Sequence, residues 1–462
     1  MRSWRSNRQS LSRKRRKAVS TLYSKDRIVR LEKTRRRTIW SAEATETIAK
    51  LPQKGIFLTA VQGSDPSLTG RYRDQLIEAH DFYRNYEARL ENLAVIGIEW
   101  LQFGPSYFEI HRNANQTDFG FVDHVMTTCK DQKITVIADL LHVSLADWLT
   151  GPRNVMVTLE DPNFPIAFAK YAKVFAKRYP QIHYFTLIHE PYQLAKLILK
   201  EDSTHHTWCE DLRFITLVSI LAKATILARK AIEHVWIEEH RSSEPVFFQS
   251  ERFVLSTAKP GSNREAEAKC FNLCRFAPLD LIVGHHDTTM ESYLGMHGLS
   301  QAHYDWFMAH GSNKQTILAL NHAPDCIETL EPDGAAYHDT PYPQRLYELI
   351  GDYWARYPLP LLHIELNAAT EGSVAQCQNI YNLLQNLRQA GKPIVGFGWY
   401  NIEYQSDSRV TPRALSGLFH EAELQPIGER FAKLAETGLV ATKPGRSSSE
   451  AESTLSVQRR KS

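Results

Sequence analysis

The sequence predicts an α/β chain folded as one (β/α)8 TIM barrel, and three observations carry that reading. Short apolar runs alternate with helical patterns from about residue 55 to about 436. Eight such runs can be counted, and eight parallel strands joined by crossover helices close into a barrel. Two of the runs stop abruptly at a glutamate, Glu190 and Glu365. These glutamates stand at the strand end where barrels of this kind carry their chemistry. An open doubly wound sheet is the competing architecture. It lacks support because no Gly-x-Gly-x-x-Gly loop follows the first strand, which also removes the case for a nucleotide.

The first strand, 56–61, is apolar and ends at Gln62-Gly63. A helix follows, with Tyr83, Tyr86, Leu90 and Leu93 on one face and Gly97 as its stop. The second strand, 98–103, contains Gln102, and a helix over 118–131 leads to a third strand, 134–141, with His142 after it. Phe164, Phe168, Tyr171 and Phe175 mark the next helix. The fourth strand, 184–188, is too short for a helix and runs into His189-Glu190-Pro191. Phe214, Leu217, Leu221, Ala224, Ala228, Ala231 and Val235 then keep a helical period without a miss.

The fifth strand is read at 246–248, near Gln249 and Glu251, followed by a helix at 265–274. The sixth is read at 281–283, with His285 and His286 beyond it, and 287–340 as a long insertion walling an active site. A helix at 343–357 precedes the seventh strand, 359–364, which ends in Glu365. A helix at 374–389, an eighth strand at 394–399 that includes Trp399, and a last helix near 412–435 complete the count.

A chain of 462 residues with 43% apolar content can bury a core of this size. The net charge of +3 conceals an asymmetry. Residues 1–37 carry 15 Lys or Arg against Asp26 and Glu32, leaving 40 basic and 50 acidic residues, a net −10, for the remainder. Residues 1–50 therefore read as a basic, disordered extension. Its charge suits a weak contact with nucleic acid or anionic lipid, and its Arg and Ser content also suits an organelle transit peptide. Residues 51–440 form the barrel, and 441–462 read as a disordered tail rich in Ser, Glu and Arg. The most apolar later run, 215–227, is interrupted by Lys223 and is too short to span a bilayer. Six cysteines without metal-ligand spacing point to a reducing compartment, and the cytoplasm is expected.

Cleaving a glycosidic bond with retention needs two carboxyl groups facing each other at about 5 to 5.5 Å, one an acid and the other an ionised nucleophile. Glu190 and Glu365, on the fourth and seventh strands, meet that demand if both face the barrel mouth. Gln62, Gln102, His142, His189 and His285 supply polar strand ends for sugar hydroxyls, and Trp399 with Tyr400 an aromatic platform. The rival is a metal centre drawn from His142, His189, His285, His286, Asp287 and His363. The first strand has no His-x-His pair, so neither a metal nor a cofactor is expected.

These residues resemble the family 1 β-glycosidases. Thr186-Leu187-Ile188-His189-Glu190-Pro191 is similar to the family's Thr-Leu-Asn-Glu-Pro, which implies Glu190 as acid/base. His363-Ile364-Glu365-Leu366-Asn367 resembles Ile-Thr-Glu-Asn-Gly, which implies Glu365 as nucleophile. Gln62, His142 and Trp399 resemble the family's sugar-binding residues on the first, third and eighth strands. Two supporting positions differ: the family's Asn before the acid/base is His189, and its strand-two Arg is Gln102. Losing that Arg should raise the pKa of Glu365 unless a histidine such as His285 or His363 compensates. The resemblance implies a retaining hydrolase of β-linked carbohydrate. A barrel that binds sugar without turnover and a transglycosylase are the alternatives.

Overall fold

The computed structural model describes residues 46–48, 50–62, 81–105, 107–110, 117–142, 159, 161–202, 212–323, 326–331, 334–338, 344–366, 372–403, 417–420 and 422–440. The basic stretch up to residue 45 and the tail from 441 lie outside them. Eight parallel strands form a closed barrel: β1 (Ile56–Gln62), β2 (Trp100–Gly104), β3 (Thr135–Asp139), β4 (Tyr184–Thr186), β5 (Val246–Arg252), β6 (Thr316–His322), β7 (Leu361–Glu365) and β8 (Ile394–Tyr400). Each pairs with its sequence neighbours, and β8 closes the ring on β1.

Around the barrel run α1 (Asp81–Val95), α2 (Gly120–Asp131), α3 (Phe164–Arg178), α4 (Leu212–Glu238), α5 (Ala277–Val283), α6 (Gln344–Arg356), α7 (Ser373–Gln389) and α8 (Pro426–Thr437). A further helix, Pro191–Asp202, follows β4 directly.

Because strand side chains alternate, the barrel has two cores. Ile56, Leu58, Trp100, Ile137, Val246, Phe248, Ile317, Leu362, Ile364, Val395 and Tyr400 fill its interior. Phe57, Leu101, Phe103, Val136, Phe185, Phe247, Leu318, Leu320, Leu361, Phe397 and Trp399 pack outward against the helices. In β8, a Cβ on Gly396 would collide with the backbone oxygen of Ile56 and the side chain of Leu362. Glycine there lets β1 and β7 close on the strand between them.

One strand was misread from the sequence. Residues 281–283 belong to α5, which starts with Pro278 in its first turn and stops at Gly284, in the left-handed region at φ +69°. Three apolar residues cannot by themselves distinguish a strand from a buried helix turn. The sixth barrel strand is β6, inside the stretch read as an insertion. That stretch also holds the helices Thr288–Met296 and Gln301–His310, capped by Asp287 and Ser300. Strands Ile327–Glu331 and Gly334–His338 join Leu255–Ala258 in a small sheet beside the barrel.

Candidate active site

The C-terminal ends of the strands form the mouth, and β4 supplies its most distinctive turn. His189 donates its backbone N–H to the Leu141 oxygen, and Glu190 then adopts φ +44° before Pro191 opens a helix. A left-handed backbone costs a residue with a long side chain about 1 to 2 kcal/mol, and such strain gathers at functional sites. Here the turn places Glu190 where its Oε1 accepts a 2.7 Å hydrogen bond from Nδ2 of Asn321 on β6. The Glu190 side chain is 14% exposed, so it retains access to solvent.

Around it lies a connected polar network. Oδ2 of Asp139, the last residue of β3, accepts from Gln102 Nε2 at 3.0 Å and lies 2.7 Å from His189 Nδ1 and 3.3 Å from His142 Nδ1. The other His189 nitrogen, Nε2, lies 3.0 Å from Asn321 Nδ2, which also donates to Ser250 Oγ at 3.0 Å. Burial pushes the Asp139 carboxyl up, but the charge of His189 and hydrogen bonds from both histidines prevail and hold it down at about 2. Burial, reinforced by repulsion from His189, depresses His142 to about 4. Burial opposes the charged form of His189, yet Asp139 and then Glu190 raise its pKa above the ordinary value. The mouth therefore holds an ionised Asp139 beneath a neutral His142.

Glu365 does not share this space. In β7 the inward positions are Leu362 and Ile364, whereas Glu365 follows the parity of Leu361 and His363 and faces the helical layer. Its oxygens lie 3.1 and 3.0 Å from His322 Nδ1, and Oε2 lies 3.0 Å from His363 Nε2. Gln376 of α7 donates to Oε1 at 3.2 Å. The residue is fully buried. Burial raises its pKa, but His322 and then His363 outweigh that and hold it below the usual carboxylate range. The expected compensation for the missing arginine is present, supplied by His322 with His363 and not by His285. The expectation that Glu190 and Glu365 face each other is corrected, because a strand-end position does not fix which face a side chain takes.

Gln102, His142 and His189 do meet Glu190 at the mouth. Gln62 ends β1 with its backbone paired to Gly104, and its side chain lies outside the described residues. Trp399 is fully buried in the outward core, so it offers no platform to the lumen; the inward aromatic is its neighbour Tyr400. His285 lies at the opposite end of the barrel. It follows α5, and the Ile282 oxygen near that helix end accepts from Ser312 N, just before β6 begins. Its ring packs on Tyr357, ahead of β7.

Asp139, Ser250 and Asn321 were not found from sequence. The continuous apolar run Ile-Leu-Ala-Leu at 317–320, ending in Asn321-His322, is the signal for a buried strand that delivers Asn321.

No family model matches the sequence, and no curated protein matches it. Solved structures do match. A β-glucosidase from Thermotoga maritima, in complex with deoxynojirimycin, superposes with a TM-score of 0.63 at 12% identity, over 85% of this chain and 100% of that one. Virulence factor SghA from Agrobacterium tumefaciens gives 0.64 at 16% identity, over 86% and 99%. The AHE enzyme from Alicyclobacillus herbarius gives 0.66 at 14%, over 84% and 98%. At such identities the likeness concerns the fold, and the chain is a (β/α)8 barrel of the kind found in the family 1 β-glucosidases.

Proposed function

We propose that this glycosidase-like barrel binds a β-linked carbohydrate at its C-terminal mouth through Glu190, His142, His189 and Gln102, and does not attack it through Glu365. The observation that carries this reading is the opposite facing of the two glutamates. Glu190 projects into the lumen and is held by Asn321, while Glu365 is buried against α7 and two histidines. Double displacement needs both carboxyls on the same bond, one on either side of the anomeric carbon. Sugar binding needs only a wall of donors and acceptors, which the Asp139 and Asn321 network provides beside Tyr400.

A second reading keeps both glutamates as a retaining hydrolase, with Glu190 as acid/base and Glu365 as nucleophile. It draws support from Glu365 being kept ionised by His322 at the mouth end of β7. It requires the Glu365 carboxylate to turn from the helical layer into the lumen.

One experiment separates the two. The full chain is incubated with a panel of activated 2-fluoro-glycosides, analysed by intact mass and peptide mapping, and its melting is followed with the parent sugars. The expected result is no adduct on Glu365, together with a sugar-dependent melting shift that Glu190→Gln abolishes. A covalent adduct on Glu365 would overturn the binding reading in favour of the hydrolase. The absence of both an adduct and a melting shift across the panel would sink both.

A further inference from the structure

Asp139, His142 and His189 are drawn together more closely than sugar contact alone requires. One ligand atom from each lies within 4.8 Å of the other two. The imidazole centroids of His142 and His189 are 3.9 Å apart, and both Nδ1 atoms point at the same carboxylate oxygen, Asp139 Oδ2. That oxygen also takes the Gln102 amide, whereas Oδ1 of the same carboxylate is buried with no hydrogen-bond partner among the described residues. A buried acceptor left unpaired is costly, and an ion held at Oδ2 would offset the charge that the two oxygens share.

We propose that Asp139, His142 and His189 form a binding site for a divalent transition-metal ion, Zn²⁺ being the fitting probe. Two imidazole nitrogens and one carboxylate make a borderline N2O set suited to Zn²⁺ or its first-row neighbours and ill-suited to Mg²⁺ or Ca²⁺, which prefer oxygen. Three protein ligands leave one position of a tetrahedral ion for water or a substrate hydroxyl. Neighbouring ligand atoms on such an ion are separated by a little over 3 Å, given bonds of about 2.0 to 2.2 Å. The 3.3 Å between His142 Nδ1 and Asp139 Oδ2 matches that spacing, and the 2.7 Å to His189 would open slightly.

On binding, the ion takes the Nδ1 positions that now face Asp139: a neutral imidazole keeps its single ring proton by moving it to Nε2, and only an imidazolium gives a proton up to solvent. Once Nδ1 of His189 holds the ion, its far nitrogen carries the ring proton; the Glu190 Oε1 carboxylate stands 3.8 Å away on that side, and the Asn321 amide, whose nitrogen is 3.0 Å away, would turn to present its oxygen as the acceptor. The site shares two histidines with the carbohydrate reading but does not rest on it, since metal binding is measured with no sugar present.

The test uses the full chain, stripped with chelator and then dialysed free of it. Zn²⁺ is titrated by calorimetry with metal analysis of the dialysed complex, and Co²⁺ is added in parallel for its visible spectrum. The expected result is one equivalent bound, with a cobalt spectrum typical of low coordination number. His142→Ala should weaken binding by more than about 100-fold, beyond the effect of losing an outer-shell partner. His142 is partly exposed, so this variant should fold even if Asp139→Ala does not. His285→Ala, at the other end of the barrel, serves as the control and should bind normally. Failure of the folded wild-type chain to retain Zn²⁺ or Co²⁺, or retention undiminished in His142→Ala, overturns the proposal.

Discussion

His322 holds both carboxylate oxygens of Glu365, at 3.1 and 3.0 Å, on the outer side of the barrel wall. Both residues are fully buried, so the pair is an internal salt bridge between β6 and β7 and not a surface one. Removing one member of such a pair is far more costly than replacing both, because the survivor keeps its charge in a medium of low polarity. Glu365→Gln should therefore destabilise the fold by about 3 to 5 kcal/mol in denaturant unfolding. The double variant His322→Gln with Glu365→Gln should recover part of that loss. A Glu365→Gln protein of wild-type stability would contradict the placement of this carboxylate.

The same pair sets a pH dependence. Burial works against a charged His322, but attraction to Glu365 wins and lifts its pKa to about 10. The folded state thus holds a proton that the unfolded chain releases near 6.5. This contribution to stability is complete below pH 6.5 and is lost as pH rises towards 10, with a slope of up to about 1.4 kcal/mol per pH unit. Glu365 is shifted in the opposite sense, so its contribution is present above its unfolded pKa and disappears only in acid. Unfolding free energies measured between pH 6.5 and 10 should decline more steeply in the wild type than in the double variant. Parallel profiles would show that the pair does not titrate as described.

Much of the barrel was legible because its strands are uninterrupted apolar runs bounded by turns, and seven of the eight were read close to their observed positions. The sixth was missed because α5 contributes a short apolar stretch that mimics a strand, while β6 lies behind two helices in what resembled an insertion. At the mouth, chain position was enough to bring Glu190, His189, His142 and Gln102 together, since a side chain at the end of its strand needs only a turn to reach it. It failed for Glu365 and Trp399 for one shared reason. They are cross-strand partners in β7 and β8, both set on the outward parity, and that parity depends on a barrel register the local sequence does not display. Asp139 was hidden because it belongs to an apolar strand, and its role emerges only when His189 from the next strand reaches it.

Glu190 carries a cost that is informative. Its φ of +44° suits glycine, and relieving such strain in an otherwise unchanged turn tends to stabilise a protein. Glu190→Gly should leave thermal stability unchanged or slightly raised while abolishing the sugar-dependent melting shift. A loss of several degrees in the absence of sugar would instead make Glu190 a structural residue.

Asn321 allows a separate test of how Glu190 is held. Its Nδ2 reaches Glu190, His189 and Ser250 from β6, so it ties the ends of three strands into one wall. Asn321→Ala would remove a shared donor from buried acceptors, a loss of about 1 to 3 kcal/mol. The variant should fold, and its sugar affinity should fall about 10-fold or more as Glu190 loses its anchor. Undiminished affinity would mean that Glu190 is positioned by its own turn alone.

Trp399 distinguishes a packing residue from a sugar platform. Its backbone pairs with Thr59 and Glu365, and its indole is fully enclosed in the core between barrel and helices. Truncating a buried tryptophan removes both its transfer energy and its packing, typically about 3 to 5 kcal/mol. Trp399→Ala should therefore be strongly destabilised, with a lower denaturant midpoint. Its remaining folded fraction should bind sugar with wild-type affinity, because Tyr400 and not Trp399 faces the lumen. The two effects can be separated by measuring binding well below the melting transition, where the folded fraction is known. A stable Trp399→Ala protein with weakened sugar binding would place the indole in the mouth and reverse the assignment of the β8 faces.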